Sequence, residues 1–186
     1  MNGSRAIFFD RDDTLIKNVP YLGDPSRVVL MPRVRENLPR LSAAGFALFL
    51  VSNQSGVGRG FITKAQVDAV NDEMFRQLGG NFFTGDYMCY AAPGQPDAAG
   101  ERKPAPGLLF KARDEHGIDL TASVFVGDRL SDVQCGLNAG CRSVLLLHDT
   151  EDGVADRERA RGLAHFVAED FAAATEWILR TLTATV

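Results

Sequence analysis

Short, continuously apolar runs alternate with helix-patterned segments along the whole chain, and that alternation restricts the fold more than any other feature. Residues 6–9, 46–51, 87–91, 123–126 and 143–147 read as strands, with a shorter one at 164–167. Helices are predicted between them over 32–44, 63–78, 104–117 and 130–138, with a last one over 169–182. Pro32 suits a first helical turn and Gly45 a stop. Thr63-Lys64-Ala65-Gln66 has the spacing of a capping box, and Gly79-Gly80 ends the helix it opens. The strands are apolar throughout instead of alternating, so both of their faces must be buried. That pattern belongs to a parallel sheet covered by helices on each side. The expected fold is α/β and Rossmann-like, with ligands at the carboxyl ends of the strands. Residues 92–102 and 149–162 read as long loops, the second charge-rich and solvated.

A chain of 186 residues suits one domain over residues 1–186, large enough to bury a real core. Hydrophobic residues make up 45% and charged ones 24%, ordinary for a soluble globular protein. The formal net charge of −4 argues against a general binder of nucleic acid or of a membrane surface. Cys89, Cys135 and Cys141 make neither an even disulfide set nor a CxxC pair, which points to a reducing cytoplasm. The first apolar run is too short for a signal peptide, and no run is long enough to span a bilayer.

In such a fold the polar residues that follow each strand decide the chemistry. The first strand runs straight into Asp10, Asp12 and Asp13 of "IFFDRDDTL". Two like charges about 4 Å apart repel by roughly 1 kcal/mol in water and roughly 4 kcal/mol near a protein surface. A divalent cation is the usual means of offsetting this. The second strand delivers Ser52 and Asn53 of "VSNQSGVGRG", the third leads to Lys103 of "ERKP", and the fourth to Asp128 and Asp132 of "GDRLSD". One rim thus collects carboxylates, a hydroxyl, a lysine and glycine-rich turns. These parts suit phosphoryl transfer: a carboxylate nucleophile, a second acid to protonate the leaving oxygen, and positive charge on the phosphoryl oxygens. Hard oxygen ligands favour Mg²⁺, held by Asp10 and Asp128.

"DRDDTL", "VSNQSG", the lysine of "RKP" and "VGDRLSD" together resemble the four signature motifs of the haloacid dehalogenase (HAD) superfamily of phosphatases, over nearly the whole chain. The resemblance implies Asp10 as nucleophile and metal ligand. It implies Asp12 as general acid and base, with its main-chain carbonyl on the metal. Ser52, Asn53 and Lys103 then bind phosphate, Asp128 binds the metal, and Asp132 is an outer partner of that ligand. "NQSGVGRG" and "RKPAPG" narrow the likeness to the heptose-1,7-bisphosphate phosphatases and the related histidinol-phosphate phosphatases. No separate cap domain is expected, so loops must contact the substrate. Arg59 and Arg102 are candidates for a second phosphate. The leading expectation is a monomeric, cytoplasmic enzyme acting on D-glycero-D-manno-heptose 1,7-bisphosphate. Histidinol phosphate follows, then a nucleic-acid 3′-phosphate, then a catalytically silent binding module of the same fold. No nucleic-acid or membrane partner is expected.

Two positions depart from the resembled pattern. Asp13 stands where the family usually has Gly, and its carboxylate is expected to face away from the metal. Many members also carry a zinc loop built from Cys-x-His and a later Cys-x-Cys, where this chain has Cys89 and Ala91, then Ala99 and Glu101. His116, His148 and His165 lack metal-ligand spacing, and Cys135 and Cys141 read as core thiols. A structural zinc site takes four Cys or His ligands, and residues 89–103 supply only Cys89. Elemental analysis of protein purified without added metal should therefore find no stoichiometric zinc, and Cys89→Ser should cost little activity. Zinc held through this loop would overturn the expectation.

Overall fold

The computed structural model describes residues 3–97, 99–147 and 153–183. Among these, strands β1 (Ala6–Phe9), β2 (Ala47–Asn53), β3 (Gly85–Cys89), β4 (Val124–Gly127), β5 (Arg142–Leu146) and β6 (Phe166–Ala168) form one sheet. Every pairing is parallel, and the order is β3-β2-β1-β4-β5-β6. The helices are α1 (Val34–Ala43), α2 (Ser55–Gly58), α3 (Lys64–Leu78), α4 (Gly107–His116), α5 (Leu130–Asn138), α6 (Val154–Leu163) and α7 (Phe171–Thr183).

Alternate residues of each strand serve opposite layers, which is why the runs are apolar throughout. Ile7, Phe9, Leu48, Leu50, Val124 and Val126 pack with α1, α3 and α7. Ala6, Phe8, Phe49, Val51 and Phe125 pack with α4 and α5. Phe8 is in register with Phe49 on one side and Phe125 on the other, and its ring stacks on theirs with centroids 5.3 and 6.5 Å away. The chain leaves β1 toward β2 and β3, then returns to β4 on the other side. That reversal opens a crevice outside the carboxyl ends of β1 and β4.

Local chemistry explains most helix ends. Thr63 Oγ1 accepts from the Gln66 amide at 3.2 Å while Gln66 Oε1 accepts from the Thr63 amide at 2.9 Å, completing the capping box. Gly79, at φ +91°, stops α3.

Three elements differ from expectation. Helix α1 begins at Val34, because Arg33 adopts a left-handed conformation at φ +69° and Pro32 belongs to the turn before it. Helix α4 begins at Gly107, later than 104 or 105. Residues 104–106 are spent on a turn in which the Gly107 amide meets Gly100 O at 2.8 Å, so tightly that a Cβ at Gly107 would collide with the Ala99 and Gly100 carbonyls. Lys103 is thus placed by this loop and not by a helix N-terminus. Part of the stretch expected as a solvated loop is helix α6. Its charges face water, but Ala160 is buried against a small cluster with Val133 and Leu145. The rest of that stretch lies outside the described residues.

Between β1 and α1 the chain forms an irregular flap, and α2 and α3 alone intervene between β2 and β3. No cap domain stands over the crevice among the described residues. At the end of β4, a Cβ on Gly127 would overlap the Asp132 side chain. Gly127→Ala should therefore cost about 1–3 kcal/mol of stability and displace Asp132. Thermal unfolding checks the first effect, and a wild-type melting temperature would contradict it.

Candidate active site

Asp10 directly follows β1, and its amide donates to Val126 O at 3.0 Å. Asp128 directly follows β4, Asp132 lies in the first turn of α5, and Lys103 comes from the loop before α4. All four are buried. Lys103 Nζ is 2.7 Å from Asp10 Oδ1 and 2.7 Å from Asp132 Oδ1, and donates to Val51 O at 3.1 Å. The ammonium thus makes two short ion pairs and one hydrogen bond. Burial alone would pull the Lys103 pKa down, but the charges of Asp10 and Asp132 outweigh burial and hold it above its ordinary range.

One ammonium does not neutralise three carboxylates. Asp10, Asp128 and Asp132 each place an oxygen within 4.8 Å of the others. Both oxygens of Asp128 are buried with no hydrogen-bond donor among the described residues, and Arg129 Nε reaches only to 3.8 Å from Oδ2. Burial, reinforced by Asp132 and Asp10, pushes the Asp128 pKa up to about 9. Burial also pushes Asp132 up, to about 6, against the pull of Lys103. Asp132 has further support, since its Oδ2 accepts from the Arg129 amide at 3.0 Å. An all-oxygen cluster with an uncompensated carboxylate fits a hard divalent cation, with Asp10 and Asp128 as the side chains to hold it.

A second network orients Asp12 and Ser52. Arg11 is 1% exposed. Its Nη1 donates to Asn71 Oδ1 at 3.1 Å, and its Nη2 to Gln54 Oε1 at 2.9 Å and to both Asp12 oxygens at 3.2 Å. A guanidinium only donates, so Gln54 must turn its carbonyl toward Arg11. The Gln54 NH₂ group then faces Asp12 Oδ2 at 2.8 Å and Ser52 Oγ at 3.0 Å. Because Ser52 Oγ accepts this bond, its own proton is left for an acceptor in the cavity. The sequence reading assigned neither Arg11 nor Gln54 a role. The available signal was Arg11 itself, a lone cation among three acids where a buried strand ends.

The cavity above these groups measures about 390 Å³ and is lined by Asp10, Asp12, Ser52, Asn53, Lys103 and Arg102, among others. Asn53 is committed elsewhere: its Nδ2 donates to Lys103 O and its Oδ1 accepts from the Lys103 amide, both at 3.1 Å, so it clamps the lysine loop. Arg102 holds Ala91 O at 3.0 Å through Nη1. Arg59 is exposed at the end of α2 and does not line the cavity, whereas Arg129, given no role by the sequence reading, does. Asp13 sits at φ +58°, a conformation Asp tolerates better than most residues. Its Oδ1 accepts from the Asn18 amide at 2.9 Å, which closes the flap turn and keeps it outside the carboxylate cluster.

The remaining candidates are structural. His116 Nε2 lies 3.1 Å from Tyr87 Oη, and His165 Nδ1 accepts from the Ser143 amide at 3.2 Å. His148 lies outside the described residues. Cys89, Cys135 and Cys141 are buried, and burial pushes the thiols of Cys135 and Cys141 up to about 12.

A rim that concentrates negative charge for a cation, and holds a hydroxyl with a proton to donate, is built to handle a phosphate ester. The fold and site thus define a phosphohydrolase class. Comparison with known proteins agrees. A family model described as HAD-hydrolase-like matches residues 101–174. The D-glycero-D-manno-heptose-1,7-bisphosphate 7-phosphatase of Thermosynechococcus vestitus is 34% identical over 93% of this chain and 94% of its own length. The D-glycero-beta-D-manno-heptose-1,7-bisphosphate 7-phosphatase of Escherichia coli (strain K12) is 33% identical, over 83% and 85%. The crystal structure of D,D-heptose 1,7-bisphosphate phosphatase from B. bronchiseptica, complexed with magnesium and phosphate, superposes with a TM-score of 0.81 at 29% identity, covering 95% of this chain and 98% of that one. The chain belongs to the haloacid dehalogenase superfamily, and within it to the phosphatases.

The lack of a hydrogen-bond donor to Asp128 predicts an exchange of stability for function. Asp128→Asn should raise the metal-free protein's stability by about 1–3 kcal/mol, because it removes a buried carboxyl whose charged form burial disfavours and which no donor satisfies. If Mg²⁺ occupies this cluster it should raise the wild-type melting temperature, and the same change should abolish that rise. Calorimetry with and without Mg²⁺ checks both, and an unchanged Mg²⁺ response would remove Asp128 from the cation site.

Proposed function

We propose that this protein is a Mg²⁺-dependent phosphomonoesterase that works through an aspartyl-phosphate on Asp10, with D-glycero-D-manno-heptose 1,7-bisphosphate as substrate. The observation that carries the chemistry is Lys103 Nζ at 2.7 Å from both Asp10 and Asp132 while Asp128 has no hydrogen-bond donor among the described residues. The named relatives, aligned over most of this chain, support the substrate.

Asp10 and Asp128, with the main-chain carbonyl of Asp12, would hold Mg²⁺, which when bound would supply positive charge to offset the phosphate dianion and its nucleophile. Lys103 contacts Asp10 Oδ1 at 2.7 Å and fixes its direction. A carboxylate oxygen of Asp10 attacks phosphorus, and the bond from phosphorus to the sugar oxygen breaks. Asp12 gives its proton to that leaving oxygen. The ionised Asp12 then takes a proton from water, whose oxygen attacks phosphorus and releases phosphate and free Asp10. Gln54 and Arg11 hold Asp12 for both steps, and Ser52 donates to a phosphate oxygen. Arg102 and Arg129 line the same cavity and suit the second phosphate. A monomer acting in the cytoplasm, without a nucleic-acid partner, completes the reading.

Phosphate release in the presence of Mg²⁺ should be faster for the heptose bisphosphate than for histidinol phosphate or a 3′-phosphorylated oligonucleotide. Asp10→Asn should lower turnover about a thousandfold or more while keeping the fold. Faster release from histidinol phosphate would replace the substrate, and a nearly active Asp10→Asn would refute the covalent route.

A further inference from the structure

Two exposed aromatic rings meet at the mouth of the cavity. Tyr21 is 45% exposed and Phe61 is 62% exposed, yet their centroids lie 4.7 Å apart with planes tilted by 45°. They come from separate segments, Tyr21 from the flap after β1 and Phe61 from the turn between α2 and α3. Tyr21 lines the cavity that holds Asp10, Ser52 and Lys103. Its ring lies against Gly56, another lining residue, where a Cβ would stand 2.8 Å from Tyr21 Cδ1. The backbone of Tyr21 is left-handed at φ +51°, a region that bulky L residues rarely occupy. Strain of this kind persists at ligand clamps, where the surrounding structure over-determines it. A turn that served folding alone would place Gly or Asn there and would not hold two rings in water.

We propose that Tyr21, braced by Phe61, is a stacking platform for the carbon ring of the leaving group and discriminates between phosphate esters by it. This rests on the reading of the site as a sugar-phosphate phosphatase. The buried floor of the cavity is occupied by the charged groups that engage phosphate, so the organic part of an ester must lie toward the mouth. A sugar ring presents flat C–H faces and polar edges. The aromatic wall matches the faces, and Arg102 and Arg129, lining the same cavity, match the polar edges. No cap domain closes over the site among the described residues, so such a wall supplies part of the contact area that a cap would otherwise give.

The test compares ring-bearing and ring-free substrates in Tyr21→Asn, Phe61→Ala and Tyr21→Phe. Asn tolerates the left-handed backbone, so Tyr21→Asn should melt close to the wild type. Its KM for the heptose bisphosphate should rise about tenfold with kcat nearly unchanged, because the contact is made equally in ground and transition states. Hydrolysis of acetyl phosphate, which has no ring, should be unaffected. Phe61→Ala should show the same pattern more weakly, and Tyr21→Phe should behave as wild type. Equal losses on both substrates would show a structural role and overturn the platform, as would no loss on either. A wild-type protein inactive on the heptose bisphosphate would refute the proposed substrate. The ratio of hexose 6-phosphate to acetyl phosphate hydrolysis then judges the platform by the same criterion.

Discussion

A buried ammonium between two buried carboxylates, with a third carboxylate left over, is the constraint on which the rest of this structure depends. Removing charges from water is costly, and the attraction between Lys103 and its partners repays it only because the contacts are short and made to two carboxylates at once. Asp128 receives no such repayment. Stability alone would not select that arrangement. It makes sense for a site where a divalent cation, added to Lys103, would balance the three carboxylates, and it is where the protein concedes stability to chemistry.

The fold serves this balance through backbone placement. Because β1 lies between β2 and β4, the residues after β1 and β4 meet over one crevice, and the turn after β2 flanks it. Gly127 lets α5 approach closely enough for Asp132 to reach Lys103, and the tight turn at Gly107 carries the lysine loop back over the sheet. Asn53 then clamps that loop on both sides of the Lys103 peptide. The Arg11 guanidinium extends the order outward: it dictates which way Gln54 points, and Gln54 in turn directs both Asp12 and Ser52.

Much of this was legible in the chain. Strands buried on both faces must be apolar throughout, so residues 6–9 and 46–51 revealed a covered parallel sheet. Capping chemistry is local, so Thr63, Gln66 and Gly79 marked α3 without reference to anything distant. The failures share a different cause. Helix α6 looked like a solvated loop because only Ala160 is buried along it, too little to create an apolar period. The helix after Lys103 is expected from residue 104 because Pro104 resembles a first-turn proline. The true start at Gly107 depends on a carbonyl of Gly100 across the loop. Arg59 and Arg129 are both arginines in motif turns, and only the path of the backbone determines that the second lines the cavity and the first does not.

The sequence by itself determined the architecture and the chemical type of the site. Patterning reports burial, and the order of motifs after successive strands reports which residues share the carboxyl rim. Tertiary structure decided the pairings within that rim. Asp128 is left without a hydrogen-bond donor while Asp132 is held, Arg11 turns inward as the partner of Asp12, and Tyr21 stands exposed beside Phe61. Those outcomes depend on distances of a few ångströms between loops from different strands, and electrostatic and hydrogen-bond energies change steeply over that range. Spacing along the chain carries no information about such distances.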